Sequence, residues 1–331
     1  MRLAWRWQPR GAAIDDRGIS GSAEPAAMPA GARARSALSS GWGWVVGALL
    51  VIAGLAFMVY LFGWFASRNQ SFGLDSFAYW LVEVPGAYDI PHRANGSFPY
   101  SPPAALVADT FSVVPLEAFT WLWAALLVGT VIWIGGSGGW SLVAFSMPVV
   151  ALELYHGNIH LLLAAAVLLG FRHPWAWSFV LLTKFTAGVG LLWFAVRGEW
   201  RSLGIALAAT AVACAISLVV APYLWPQWID YVLAATTLEL DPRWDNLIRV
   251  PLWVRLLAAA LLVVWGARTD RRWTVLLATT LALPVLWFHG LAVLVGLIEE
   301  WRRADPLAVP SLATRALERL GWSAPTRNEA G

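Results

Sequence analysis

Between residues 43 and 301 the chain is a succession of apolar stretches with almost no charge inside them. They run at about 43–66, 104–114, 117–134, 140–154, 159–171, 174–196, 202–221, 251–267, 273–288 and 290–301. A water-soluble fold has to leave a polar exterior, and this chain has too little polar surface to make one. Hydrophobic residues are 59% of the sequence and charged residues 13%, against roughly 25% charged in soluble domains. Lipid is the solvent that removes the conflict. The pattern predicts an all-α fold, a polytopic transmembrane bundle of about eight to ten helices. A full span needs about 20 apolar residues. Several stretches are shorter, and such helices tilt, pair as re-entrant elements or line a cavity.

The rest of the organisation follows from what lies between the stretches. Residues 1–42, rich in Ala, Gly, Pro and Arg, read as a disordered cytoplasmic tail, too polar for a signal peptide. Residues 43–301 form one membrane domain with two long polar loops, 67–103 and 222–249, and 302–331 form a second tail. Arginine placement sets the orientation. Arg2, Arg6, Arg10, Arg17, Arg33 and Arg35 precede the first stretch, Arg197 and Arg201 flank one loop, Arg268, Arg271 and Arg272 crowd another, and Arg302 and Arg303 follow the last. With ten crossings these groups share one side, which the positive-inside rule makes cytoplasmic. Both long loops and the His289-Gly290 junction then face outward, with Arg172 as an exception. The 23 tryptophans suit the bilayer interface, where the ring is buried and the N–H stays wet. The single cysteine, Cys214, allows no disulfide within the chain. The net charge of +3 fits cytoplasmic loops better than nucleic acid.

Few residues can carry chemistry in such a chain. Asp75 follows the first stretch among aromatic and apolar neighbours, where partial desolvation would tune a carboxylate for proton transfer; a solvated loop aspartate is the other reading. The segment Glu153-Leu154-Tyr155-His156-Gly157-Asn158-Ile159-His160 joins two apolar runs and is either a capped junction or part of a site. Lys184, the only lysine, lies inside a long apolar run and either binds an anion or snorkels. Arg243 and Arg249 can hold a phosphate by forked hydrogen bonds or meet lipid head groups. His289 stands at an outer helix end. No P-loop, CxxC, HExxH or GxSxG motif is present, and the acidic residues form no metal cage along the sequence, so neither a metal nor a cofactor is expected.

The order of these features resembles glycosyltransferase family 87, membrane mannosyltransferases of the GT-C superfamily. The resemblance covers residues 45 to 300. It consists of Asp75 early in the first outer loop, the aromatic–proline entry Tyr100 and Pro102, and the turn Gly157-Asn158. Lys184 ahead of Arg197 and Arg201, Asn246, and the Trp287-x-His289 pair complete it. Departures are His156 ahead of Gly157-Asn158 where Gln is usual, Phe185 after Lys184 where Pro is usual, Leu247-Ile248 after Asn246 where Gln-Ser is usual, and Gly290 where a second histidine often stands. The resemblance implies a GT-C-like hexosyltransferase that moves mannose or another hexose, with inversion, from a polyprenyl-phosphate donor to a lipid or glycan acceptor at the extracytoplasmic face of the cell membrane. It implies Asp75 as general base and His289, Arg243, Arg249 and Lys184 around the donor phosphate. Tyr79, Tyr100, Asn158, Asn246 and Trp287 would bind substrate. Two other classes stay open on the residues alone: a transporter or scramblase, and a catalytically inactive relative.

Overall fold

The structure, a computed structural model, describes residues 30–69, 71–92, 94–136, 139–236 and 249–304. The chain divides into two units, Met1–Gly47 and Ala48–Gly331. Most of the two expected tails, and loop residues Arg243 and Asn246, lie outside the described residues.

Regular structure among the described residues is helical. In chain order the α-helices are α1 (Ala30–Val59), α2 (Leu74–Trp80), α3 (Pro102–Asp109), α4 (Leu116–Gly135), α5 (Trp140–Ser146), α6 (Pro148–His156) and α7 (His160–Gly170). They continue as α8 (Trp177–Thr183), α9 (Leu192–Arg197), α10 (Trp200–Val220), α11 (Leu224–Thr236), α12 (Leu252–Thr269), α13 (Trp273–Leu281) and α14 (Gly296–Ala304). A π-helical turn, Tyr60–Phe65, and Ala66–Asn69 extend α1. That helix begins within the segment read as a tail, where Ala32, Ala34 and Ala37 favour helix.

Four helical stretches among the described residues are long and apolar enough to cross a membrane: Val45–Arg68, Leu116–Gly135, Trp200–Val220 and Leu252–Thr269. A fifth is the pair α6–α7 if its two arms, bent by 110°, count as one span. Leu50, Trp121, Val219 and Leu257 expose their side chains on these helices, as a lipid surround allows and water does not. The other apolar stretches are short or broken. The stretch 174–196 ends its first helix at Thr183, since Lys184 leaves helical geometry at φ −135°, ψ 68° and a 3-10 segment, Phe185–Leu191, follows. Gly188 and Gly190 weaken the helix there.

Two helices lie where only polar loop was expected. α2 follows Gly73 and buries Ser76, Ala78 and Tyr79. α11 carries Trp228 and Tyr231 onto the first long loop: Trp228 Nε1 donates to the Pro99 carbonyl at 3.3 Å, and the Tyr231 carbonyl lies 2.7 Å from His92 Nε2. Short amphipathic helices with several polar residues do not stand out as apolar stretches.

The bundle has two distinct ends. α4 has 20 residues and so spans about 30 Å. In its first half Trp123 Nε1 donates to the Gly157 carbonyl at 2.7 Å. Past its end Gly136 packs against the Arg302 guanidinium. α7 runs the same way, from His160 to Phe171, over which Arg272 stacks at 5.3 Å. At that same end Arg197 pairs with Asp270 at 2.7 Å. The turn after α7 therefore belongs with the basic loops. Arg172, placed outside by counting ten crossings, sits in that turn; among the described residues four or five helical stretches are long and apolar enough to cross.

Candidate functional site

The elbow between α6 and α7 is the foundation of the site. Gly157 closes α6 in a left-handed conformation, φ 73°. A Cβ at Gly157 would also stand 3.0 Å from the Cβ and Oγ of Ser76 on α2. Only glycine meets both demands. The sharp bend leaves the first N–H groups of α7 without helical partners. Neighbouring side chains take them: Ile159 N–H donates to Asn158 Oδ1 at 2.7 Å, and His160 N–H donates to Glu153 Oε1 at 2.6 Å. The second Glu153 oxygen lies 3.0 Å from His160 Nδ1. Glu153 and His160 are fully enclosed.

α2 is seated on this elbow. Gly73 N–H donates to the Tyr155 carbonyl at 2.9 Å. Asp75, two residues on, accepts a hydrogen bond from Asn158 Nδ2 at 2.7 Å through Oδ2. Its side chain keeps about a third of its exposure, 31%. Burial raises the Asp75 carboxyl above the usual range, and the Asn158 hydrogen bond opposes that rise. The carboxylate thus binds a proton more firmly than one in water while staying open on one side.

His289 arrives from the far end of the sequence. It lies in a 3-10 segment, Phe288–Val295, and its Nε2 is 3.8 Å from Asp75 Oδ2. Burial pulls its imidazole down to about 3, against the Glu153 carboxylate, so the ring is neutral here and offers hydrogen bonding in place of charge. The ring stacks on His156 at 5.1 Å, lies nearly parallel to Trp287 at 6.3 Å and meets His160 at 5.4 Å. A Cβ at Gly290 would stand 3.1 Å from Leu283 Cδ1 and 3.6 Å from His160 Nε2.

The backbone leading to His289 is non-helical, and its carbonyls need partners inside the protein. Arg255 of α12 supplies partners for three of them. Its Nη1 donates to the Leu281 and Leu283 carbonyls at 2.9 and 2.6 Å, and its Nη2 to Pro284 at 3.0 Å. Its Nε ties the Val250 carbonyl at 2.9 Å, and Thr186 donates to the Ala282 carbonyl.

A second group of polar side chains flanks the first. Tyr79, one turn beyond Asp75 on α2, shares a 3.1 Å hydrogen bond between hydroxyls with Tyr100. Tyr88 donates to the Tyr100 carbonyl at 2.8 Å. Lys184 Nζ sits over the Tyr100 ring, 4.9 Å from its centre, a cation–π contact. Ser101 holds the α3 entry to the end of α8 through the Leu182 carbonyl at 2.6 Å.

Of the residues singled out in the sequence, Asp75 meets both Asn158 and His289, with Trp287 at the edge. Tyr79, Tyr100 and Lys184 form the adjoining group. Arg249 is exposed ahead of α12, and Arg243 and Asn246 fall outside the described residues. Glu153 and Arg255 were not singled out as site residues. Each is an ionisable group inside an apolar run, which is the signal that could have found them.

No family model, no curated protein and no solved structure matches this chain.

Proposed function

We propose that this protein is a membrane glycosyltransferase of GT-C type, moving a hexose, mannose by the resemblance to family 87, from a polyprenyl-phosphate donor to an acceptor hydroxyl. The observation that carries the reading is the meeting of Asp75 and His289 at 3.8 Å, with Asn158 holding the carboxylate. Three segments distant in sequence converge on one partly open carboxylate beside a lysine and two tyrosines.

In this reading Asp75 takes the proton of the acceptor hydroxyl as its oxygen attacks the anomeric carbon. The bond from that carbon to the phosphate oxygen breaks, the configuration inverts, and polyprenyl phosphate leaves with the electron pair. A phosphate carries that charge without strong acid assistance, so it needs hydrogen-bond donors and a cation. His289 is placed for the first and Lys184 for the second. The remaining candidates, Arg243, Arg249 and Asn246, belong to the second long loop, whose helix α11 packs on the first.

Two further features support the reading. A groove of about 370 Å³ is lined only by apolar side chains, among them Met58, Phe62, Phe72, Trp121 and Leu154. Phe72 and Leu154 are close in sequence to Asp75 and Glu153, so a polyprenyl chain lying there would reach the polar site. Arg197, Arg272 and Arg302 gather at the opposite end of the bundle, while Arg249 and Arg255 stand on the site side, and the positive-inside rule applied to the first group turns the site outward in the cell membrane.

The test is incubation of purified protein with labelled polyprenyl-phosphate sugars and a membrane lipid extract. A labelled product is expected, and Asp75→Asn should lower its rate by about a hundredfold or more, the range for a general base. Full activity in that variant would remove Asp75 from the role. Substrate flux into proteoliposomes without any sugar donor would favour a transporter instead.

A further inference from the structure

Glu153, His160 and His289 come from α6, from the first position of α7 and from the segment after α13. Each offers one ligand atom, and these atoms all lie within 4.8 Å of one another. Two facts set the group apart from an ordinary buried hydrogen-bond cluster. His160 is 1% exposed, and its Nε2 has no hydrogen-bond partner. That nitrogen lies 3.6 Å from where a Cβ on Gly290 would stand. The Nε2 of His289 is also buried without a hydrogen bond. Enclosed ring nitrogens left this way are uncommon, and each calls for a reason.

We propose that Glu153, His160 and His289 form a binding site for a divalent transition-metal ion. Two imidazoles and one carboxylate suit zinc, cobalt, iron or manganese; magnesium and calcium prefer oxygen donors throughout. The same donor set recurs in zinc sites that keep a position open for a further ligand. Asp75, anchored by Asn158, places a further carboxylate oxygen 3.8 Å from His289 Nε2. The sequence showed no cage because its third donor lies more than a hundred residues beyond the other two.

The site stands without the glycosyl-transfer reading. Under that reading the ion would take over from the His289 imidazole the task of meeting the donor phosphate, and would supply the positive charge that a neutral ring lacks.

The experiment uses the full chain, purified in detergent through a tag without histidines and treated with chelator. Cobalt(II) is then titrated in and followed by its visible absorption, with elemental analysis for stoichiometry. One cobalt per chain is expected, displaced by zinc(II). His289→Ala and Glu153→Gln should each weaken binding by more than about tenfold, while His173→Ala, at the basic end, should leave it unchanged. His289 keeps partial exposure and Glu153→Gln keeps the side-chain shape, so size-exclusion profiles can show both variants folded. The wild-type titration depends on no variant. Absence of cobalt binding by the wild type, or binding that both variants retain, would overturn the site. No sugar donor is present, so this outcome is separate from that of the transfer assay.

Discussion

Asn158 serves two neighbours with one side chain. Its amide N–H₂ holds Asp75, and its carbonyl oxygen accepts the Ile159 N–H at the start of α7. Replacing it with alanine removes both bonds at once. A hydrogen bond to a charged group contributes about 1.5–3 kcal/mol, so the Asn158→Ala variant should lose about ten- to a hundredfold in transfer rate if Asp75 must be held in place. Loss of the bond to the Ile159 N–H should cost about 1 kcal/mol of stability. Rate and melting temperature measured on one preparation separate the two effects; an unchanged rate would mean that Asp75 needs no positioning. At this scale the sequence disclosed individual residues better than their partnerships. Asp75, Asn158 and His289 drew attention as polar groups beside apolar runs. The Glu153–His160 pair was not legible, because their contact exists only once Gly157 has turned the chain back on itself.

The turn between α13 and His289 is irregular backbone held mainly by Arg255 of another helix, with Thr186 on a further carbonyl. Three of its carbonyls, those of Leu281, Leu283 and Pro284, accept from Arg255. Lysine would keep the charge, but its donors sit on one atom and cannot span the same set. At least one enclosed carbonyl would be left unpaired, at about 1–3 kcal/mol. The Arg255→Lys variant should therefore unfold about 2 kcal/mol more easily in detergent. It should also show faster amide exchange over residues 281–290, with exchange in α4 unchanged. Equal exchange in the two proteins would show that the guanidinium does not secure the turn. Elements were legible in proportion to their apolar length. α4, α10 and α12 coincide closely with the stretches at 117–134, 202–221 and 251–267. α2 and α11 were hidden inside polar segments. The break at Lys184 was hidden inside an apolar one, since composition does not report where a backbone leaves helical geometry.

Orientation belongs to the whole molecule, and it rests on more than the arginine count that first suggested it. α4 and α7 both run from the polar site to the basic loops, so those features occupy opposite ends whichever short helices count as spans. The sequence could not supply this, because a crossing number obtained by counting stretches changes with every stretch that stops short, as the placement of Arg172 showed. The positive-inside rule then makes a definite prediction about two exposed positions. Gly198 lies in the loop beside Arg197, and Glu83 follows α2 at the site end. In a Cys214→Ser background, Glu83→Cys should react with a membrane-impermeant maleimide added to intact cells. Gly198→Cys should react only after the membrane is opened. The reverse pattern would turn the site toward the cytoplasm and exclude a donor presented at the outer leaflet, even with Asp75, Asn158 and His289 in the same arrangement. Labelling of both positions in intact cells would mean that the two ends do not lie on opposite sides of a membrane.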